Sequence, residues 1–181
     1  LEAVIDEELA PTNGKGISMG ETIEMINKHS KGDAIMVSDV GQHQMFACRY
    51  AKFNTTKSNV TSGGLGTMGF ALPAAIGAKM GRPDREVVAI IGDGGFQMTI
   101  QELGTIMQSE TDIKILILNN QFLGMVRQWQ QLFHDKRYTF VNIGTPDYVT
   151  VAKGYGIAGR KTSQREELHQ AVKNMLEHDG A

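Results

Sequence analysis

Two short apolar runs, Val87 to Ile91 and Ile113 to Leu118, each end in a polar signature: Gly92-Asp93-Gly94-Gly95 after the first and Asn119-Asn120 after the second. The runs are too short and too β-branched for helices, and read as buried strands. Between them Thr99-x-x-Glu102 has the spacing of a capping box, and it opens a segment with apolar residues at Ile100, Leu103, Ile106 and Met107. Together they predict one βαβ unit. Such connections are right-handed and parallel, so both polar signatures fall on one edge of the sheet, the edge where open α/β sheets bind ligands.

The flanking pattern extends this layer in both directions. Residues 1–16 contain Pro11, Asn13, Gly14 and Gly16 with no sustained periodicity, and read as a linker remnant of a longer polypeptide. Ser18-x-x-Glu21 is a second capping box, followed by Ile23, Met25 and Ile26, which predicts a helix to about His29 that stops before Gly32. Ala34 to Val37 makes a short strand that ends in Ser38-Asp39-Val40-Gly41, again on the ligand edge. Glycines at 63, 64, 66 and 69 predict a loop, leading into a helix that begins between Met68 and Pro73, since proline is tolerated only in a first turn. Farther on, Phe140 to Ile143 and Ile157 to Lys161 read as strands, Pro146-Asp147 starts a helix through about Lys153, and Arg165 to His178 is a terminal amphipathic helix. The expected architecture over residues 17–181 is α/β: a doubly wound, mostly parallel sheet of about six strands with helices on both faces.

Composition narrows the function classes. At 181 residues the chain is one domain's worth, and its formal charge of -2 is spread over interspersed acids and bases, which leaves no electrostatic footprint for nucleic acid. No apolar run approaches the ~20 residues that span a bilayer. The single cysteine, Cys48, excludes an internal disulfide and argues against zinc. A reducing, cytoplasmic compartment is the default, with no membrane and no nucleic acid among the partners.

The chemistry lies at the strand ends. Asp93 offers a hard anionic oxygen and Asn120 a neutral carbonyl oxygen, a set that suits Mg²⁺ or Ca²⁺ rather than zinc. Gly92, Gly94 and Gly95 let the backbone turn tightly and present N–H groups to phosphate oxygens. The expected ligand is therefore a diphosphate bridged to the protein by Mg²⁺, the rival being a tight turn with a polar strand end. Gly41-Gln42-His43 supplies further donors for phosphate, with a surface histidine as the plainer reading. A helix from about Gly124 places Met125, Val126 and Trp129 within one turn of each other beside the same edge. Gly64-x-Gly66-x-x-Gly69 has the spacing of a dinucleotide fingerprint, but its acidic partner would be Asp84 or Glu86, in the turn before a strand, so a nicotinamide or flavin site stands as a second reading.

The joint pattern of GDG, 24 intervening residues and NN resembles the fingerprint of thiamine-diphosphate enzymes. The stretch SGGLGTMGFALPAAIGAK resembles the acetohydroxyacid (acetolactate) synthase family in particular. The resemblance implies that Asp93, Asn120 and the backbone carbonyl of Phe122 hold Mg²⁺, which grips the diphosphate of the cofactor. It gives Met68 the role of a wedge beneath the cofactor, bending its two rings so that the pyrimidine amine lies beside the acidic thiazolium carbon, and gives Gly66 a carbonyl contact to the aminopyrimidine. Met125, Val126 and Trp129 become substrate-pocket residues. The implied reaction is decarboxylation of pyruvate and condensation with a second 2-keto acid.

The same resemblance implies a homo-oligomer in which the pyrimidine-binding domain of another subunit completes the site, with room for a regulatory subunit. Any FAD would belong to the full-length enzyme and not to this domain. The sequence departs from the family at Gly95, where Ser or Ala is common, and at Phe46, where Trp is frequent. No part of the chain matches the glutamate that activates the pyrimidine, which in the family comes from another domain. A pyruvate oxidase, a glyoxylate carboligase, a dinucleotide-binding oxidoreductase and a non-catalytic interaction module remain as alternatives.

Overall fold

The computed structural model describes residues 16–181, so the expected linker over 1–16 lies, except for Gly16, outside the described residues. Helix α1 (Met19–Ser30) opens on the capping box: the Ser18 hydroxyl accepts from the Glu21 N–H at 3.1 Å, and the Glu21 carboxylate accepts from the Ser18 N–H at 2.9 Å. Two donors left over at a helix start are thereby satisfied. The order continues β1 (Ile35–Ser38), α2 (Gln42–Tyr50), β2 (Asn59–Thr61), α3 (Ala71–Gly81), β3 (Val87–Gly92), α4 (Asp93–Met98), α5 (Glu102–Ser109), β4 (Lys114–Leu118), α6 (Gly124–Phe133), α7 (Tyr148–Gly154) and α8 (Arg165–Glu177).

The strands form one sheet in the order β2-β1-β3-β4, every pair parallel. Alternation along the strands feeds two cores. Ile35, Val37, Val87, Ala89 and Ile91 pack against Leu72 and Ile76 of α3 and Leu103 and Ile106 of α5. Met36, Val88 and Ile90 pack on the other face against Ile23 and Ile26 of α1, Ala47 of α2, and Leu168 and Val172 of α8. Strand β3 is buried from end to end, which is why it reads as a continuous apolar run instead of an alternating one. The doubly wound α/β architecture agrees with the expectation.

This strand order creates the ligand edge. The chain steps from β1 outward to β2, then crosses back to place β3 on the other side of β1. As a result α2 leaves β1 toward one core while α4 and α5 leave β3 toward the other. A crevice opens where they diverge, outside the carboxyl ends of β1 and β3.

Several local expectations change. Four strands form among the described residues instead of about six. In the segment 140–143, Phe140 has a left-handed φ of 52°, which breaks the extended run, and only a single antiparallel bridge between Phe122 and Asn142 remains. Residues 157–161 form no strand: Ile157 joins the core, but alternation would pair it with Gly159 and Lys161, which gives no apolar face. Thr99 does not cap a helix, since α5 starts after Gln101 with no side-chain cap. Asp93 itself begins a short helix, and the segment after Gly41 forms the first turns of α2.

Candidate functional site

Strand β3 delivers Asp93 into the crevice as the first residue of α4. The side chain is 2 % exposed. Its Oδ2 accepts from the Gln121 N–H at 2.7 Å and its Oδ1 from the Gly94 N–H at 3.1 Å. Burial pushes the Asp93 carboxyl above its ordinary range, while these main-chain N–H groups pull it down. Gln121 carries a left-handed φ of 63° and is held there by Asp93 and by Asn119 Oδ1, which accepts from the same N–H at 3.2 Å. Such a conformation costs of order 1 kcal/mol in a non-glycine residue and persists only where its surroundings determine it.

The bend at Gln121 turns Asn120 to the same crevice. The Asn120 side-chain oxygen accepts from the Phe122 N–H at 3.0 Å, and Phe122 itself borders the opening. Two main-chain bonds tie this loop to the following segment: Leu123 N–H to the Val141 carbonyl at 2.8 Å, and Ile143 N–H to the Gln121 carbonyl at 3.0 Å. Asp93 and Asn120, far apart in sequence, therefore share one opening, as the βαβ reading requires.

Around them stand the other expected residues. Gly92, Gly94 and Gly95 line the floor, and none of the three admits a side chain as the neighbours stand, Gly92 because a Cβ would come within 2.8 Å of the His43 ring. A Cβ on Gly94 would come within 2.8 Å of Leu123 and 3.8 Å of Met68 Cε, and a Cβ on Gly95 would collide with the Asp39 carboxylate. Met68 thus faces the Gly94 backbone. Gln42 donates to Gln128 Oε1 at 3.0 Å, so α2 and α6 touch across the crevice. Met125 and Val126, from the first turn of α6, line the same opening.

His43 is placed differently from the phosphate-donor expectation. It is buried, its ring lies against Gly41 and Gly92, and its Nε2 accepts from the Gly92 N–H at 3.3 Å. A nitrogen that accepts a main-chain N–H has no proton to give a phosphate. Burial holds the ring neutral, with its pKa pushed down to about 4 against a hydrogen bond with the Asp39 main chain. His43 acts here as a strut between the ends of β1 and β3.

Two expected residues do not join the crevice. Gly66, with φ 62°, sits in an exposed turn whose N–H bonds the Ser62 carbonyl at 3.0 Å. Trp129 is 55 % exposed and stacks on Phe133 at 5.0 Å, because it follows Met125 by a full turn of a helix that buries no residue. The dinucleotide reading also loses its acidic partner: Asp84 pairs with Arg82 at 2.8 Å on the surface, and both Asp84 and Glu86 precede β3, at the opposite end of the sheet.

The sequence reading missed Tyr148. Its hydroxyl donates to the Asp93 carbonyl at 3.0 Å and its ring meets Phe96 edge-on at 5.1 Å. Burial and then the Asp93 carboxylate push the phenol up to about 12. The only local signal was the Pro146-Asp147 helix start, which says nothing about a partner 55 residues away. The bonds of Asp39 and Thr99 to the Gly69 loop have no local signal either: the sequence places Asp39 only at a strand end on the ligand edge and reads Thr99 as a helix cap.

The described residues hold no group of three or more His, Cys, Asp or Glu side chains fit to bind a metal. A cation in this crevice would be held by one carboxylate, amide oxygens and the oxygens of its own ligand, a hard donor set. With main-chain N–H groups along glycines that admit close approach, the residues present fit a metal-bridged diphosphate. None of the described helices is long and apolar enough to cross a membrane.

Comparison with known proteins gives the family. Residues 39–181 match the family described as thiamine pyrophosphate enzyme, C-terminal TPP binding domain. The chain is 43 % identical over 159 residues to the acetolactate synthase isozyme 2 large subunit of Escherichia coli, which covers 87 % of this chain and 29 % of that protein. It is 48 % identical over 161 residues to the acetolactate synthase large subunit of Cyanidium caldarium, covering 87 % of this chain and 27 % of that one. Among solved structures, the thiamine diphosphate-dependent 4-hydroxybenzoylformate decarboxylase of Rhodococcus jostii superposes with a TM-score of 0.85 at 27 % identity, over 94 % of this chain and 32 % of that chain. The chain thus spans less than a third of the length of these relatives.

Proposed function

The chain belongs to the thiamine pyrophosphate enzymes, as a C-terminal TPP-binding domain, and from that premise we propose that it is the diphosphate-binding domain of an acetolactate synthase large subunit, one part of a larger multidomain enzyme. The observation that carries this reading is the convergence of Asp93 and Asn120 on one glycine-floored crevice, with Met68 facing Gly94. The naming of relatives 43 % and 48 % identical to this chain supports the choice of reaction within the family.

In this proposal Asp93, the Asn120 carboxamide oxygen and the Phe122 main-chain carbonyl hold Mg²⁺. The Gly95 N–H, with the Gln42 amide, takes diphosphate oxygens, Gly92 and Gly94 keep the floor clear of side chains, and Gly41 and His43 shape the wall. Met68 forces the bend, and Met125 and Val126 border the substrate. Thiamine diphosphate, when bound, supplies the electron sink that decarboxylation of a 2-keto acid demands. The chain's residues contribute placement, charge neutralisation and exclusion of water. The remaining catalytic group, a glutamate, comes from the pyrimidine-binding domain of another subunit in a cytoplasmic homo-oligomer.

Calorimetric titration of the full-length protein with Mg²⁺ and thiamine diphosphate, beside Asp93→Ala, tests this. Binding by the wild type and a loss of at least about tenfold, or about 1.4 kcal/mol, in the variant is expected. Equal affinity in both overturns the assignment. Acetolactate formed from pyruvate by the full-length enzyme separates this reading from the oxidase and the glyoxylate carboligase. The domain alone should turn over negligible pyruvate, because it lacks the glutamate.

A further inference from the structure

The loop that carries Met68 is held from two sides by groups outside the GDG and NN signatures. Asp39, at the carboxyl end of β1, is fully buried, and its carboxylate accepts from the N–H of Gly69 at 3.1 Å and of Phe70 at 3.2 Å. Thr99, immediately after α4, donates its hydroxyl to the Gly69 carbonyl at 3.1 Å. The Gly69 N–H belongs to the peptide that joins Met68 to Gly69, so the first bond fixes the main chain at Met68 itself. The second fixes the next peptide. Gly69 has a left-handed φ of 83°, and a Cβ there would stand 3.1 Å from the side chains of both Met98 and Thr99. Only glycine lets this clamp close.

The carboxylate is enclosed on a third side. A Cβ on Gly95 would collide with Asp39 Oδ2. One buried side chain therefore touches the end of β1, the loop before α3 and the first turn of α4, which are three of the segments that build the crevice. A buried carboxylate is costly unless its oxygens are satisfied, and a fully satisfied buried polar group rigidifies what it joins.

We propose that Asp39 and Thr99 are positioning residues for Met68: by clamping the Met68-Gly69-Phe70 backbone they set the height of the Met68 side chain over Gly94, and with it the shape in which the crevice receives its cofactor. The inference rests on the wedge role given to Met68 above. The plainer alternative is that Asp39 and Thr99 only secure the start of α3.

The test uses the full-length protein. Thr99→Val keeps the shape of the side chain and removes the donor, and Thr99→Ser restores it. Thr99→Val should leave the dissociation constant for Mg²⁺ and thiamine diphosphate and the KM for pyruvate within about threefold, yet lower kcat about tenfold, about 1.4 kcal/mol of barrier. Amide exchange at Gly69 should quicken. Thr99→Ser should recover both, and Asp39→Asn, which turns an NH₂ group toward N–H donors, should reproduce the Thr99→Val phenotype more severely. Wild-type kcat and wild-type Gly69 exchange in Thr99→Val overturn the proposal, as does a lowered melting temperature with kcat intact. A wild-type protein that binds no cofactor instead sinks the functional reading, and Gly69 exchange in Thr99→Val then still decides whether the clamp exists.

Discussion

Asp93 and Gln121 meet across the ends of β3 and β4, the carboxylate accepting the Gln121 N–H at 2.7 Å. The bond ties the charge of one signature to the backbone bend of the other, so the position of Asn120 depends on Asp93 even before any cation arrives. Asp93→Asn should therefore fail in two ways, by removing the charge and by loosening the loop. The expected outcome is a fall of at least about tenfold in Mg²⁺-dependent cofactor affinity, together with faster amide exchange at Gln121 measured without metal. Unchanged exchange would separate the two effects and assign the loss to charge alone.

Gly124 sits where a Cβ would collide with Gln42 Oε1. Gly124→Ala should push the Gln42 side chain aside and break its 3.0 Å bond to Gln128. The colliding atom is the far end of a half-buried, flexible side chain, so the swing itself is cheap and the cost is that of the lost hydrogen bond, about 0.5–1.5 kcal/mol, which urea denaturation will read. Gln42→Ala alone should lose the same bond, and Gly124→Ala added to it should cost no more, since the colliding atom is already gone.

Tyr148→Phe deletes the hydroxyl that donates to the Asp93 carbonyl while keeping the ring on Phe96. A stability loss of about 1 kcal/mol, the usual worth of one hydrogen bond, is expected. Cofactor affinity should fall with it, although no atom of Tyr148 belongs to the proposed metal set. Calorimetric titration of the variant checks this.

The interface of α1 and α8 should respond to acid. The His29 and His169 rings meet edge-on at 4.6 Å. Burial lowers the His29 pKa first, and His169, Lys28 and Lys173 add to the shift while Glu177 opposes it. The folded state then binds fewer protons than the unfolded chain just below the ordinary histidine value of about 6.5. Stability from this site is complete above that value and is lost as pH falls through it toward the lowered folded pKa. The urea midpoint should drop between pH 7.5 and pH 5.5, and His29→Gln should reduce that drop without abolishing it, because buried His43, also held below its ordinary value, acts in the same direction over the same window.

Legibility from sequence followed the range of each interaction. The Ser18 and Glu21 capping box, the two strands of the βαβ unit and the pairing of Asp93 with Asn120 were readable because each depends on local spacing or on one well-behaved connection. The groups that hold those residues in place were not. Asp39 reaches Gly69, Thr99 reaches back to Gly69, and Tyr148 reaches Asp93, all through contacts that leave no period in the chain. Thr99 shows the failure most clearly: its spacing to Glu102 imitates a cap, but its hydroxyl is spent on a loop carbonyl. His43 was read as a donor because its chemistry allows it, whereas burial against Gly92 makes Nε2 an acceptor. The strand expected at 140–143 failed at one backbone angle, that of Phe140, which no side-chain pattern encodes.

Trp129 is the chain's sole tryptophan and stands on α6, which buries none of its residues. Its emission is thus a local reporter, sensitive to whether one surface helix stays docked, whereas far-ultraviolet circular dichroism averages over every helix of both layers. Helices with so little anchorage open at low free-energy cost. Melting this domain while watching both signals should give two unequal midpoints, the optical one first, so a single unfolding free energy fitted to fluorescence alone would describe the fraying of α6 and not the collapse of the sheet.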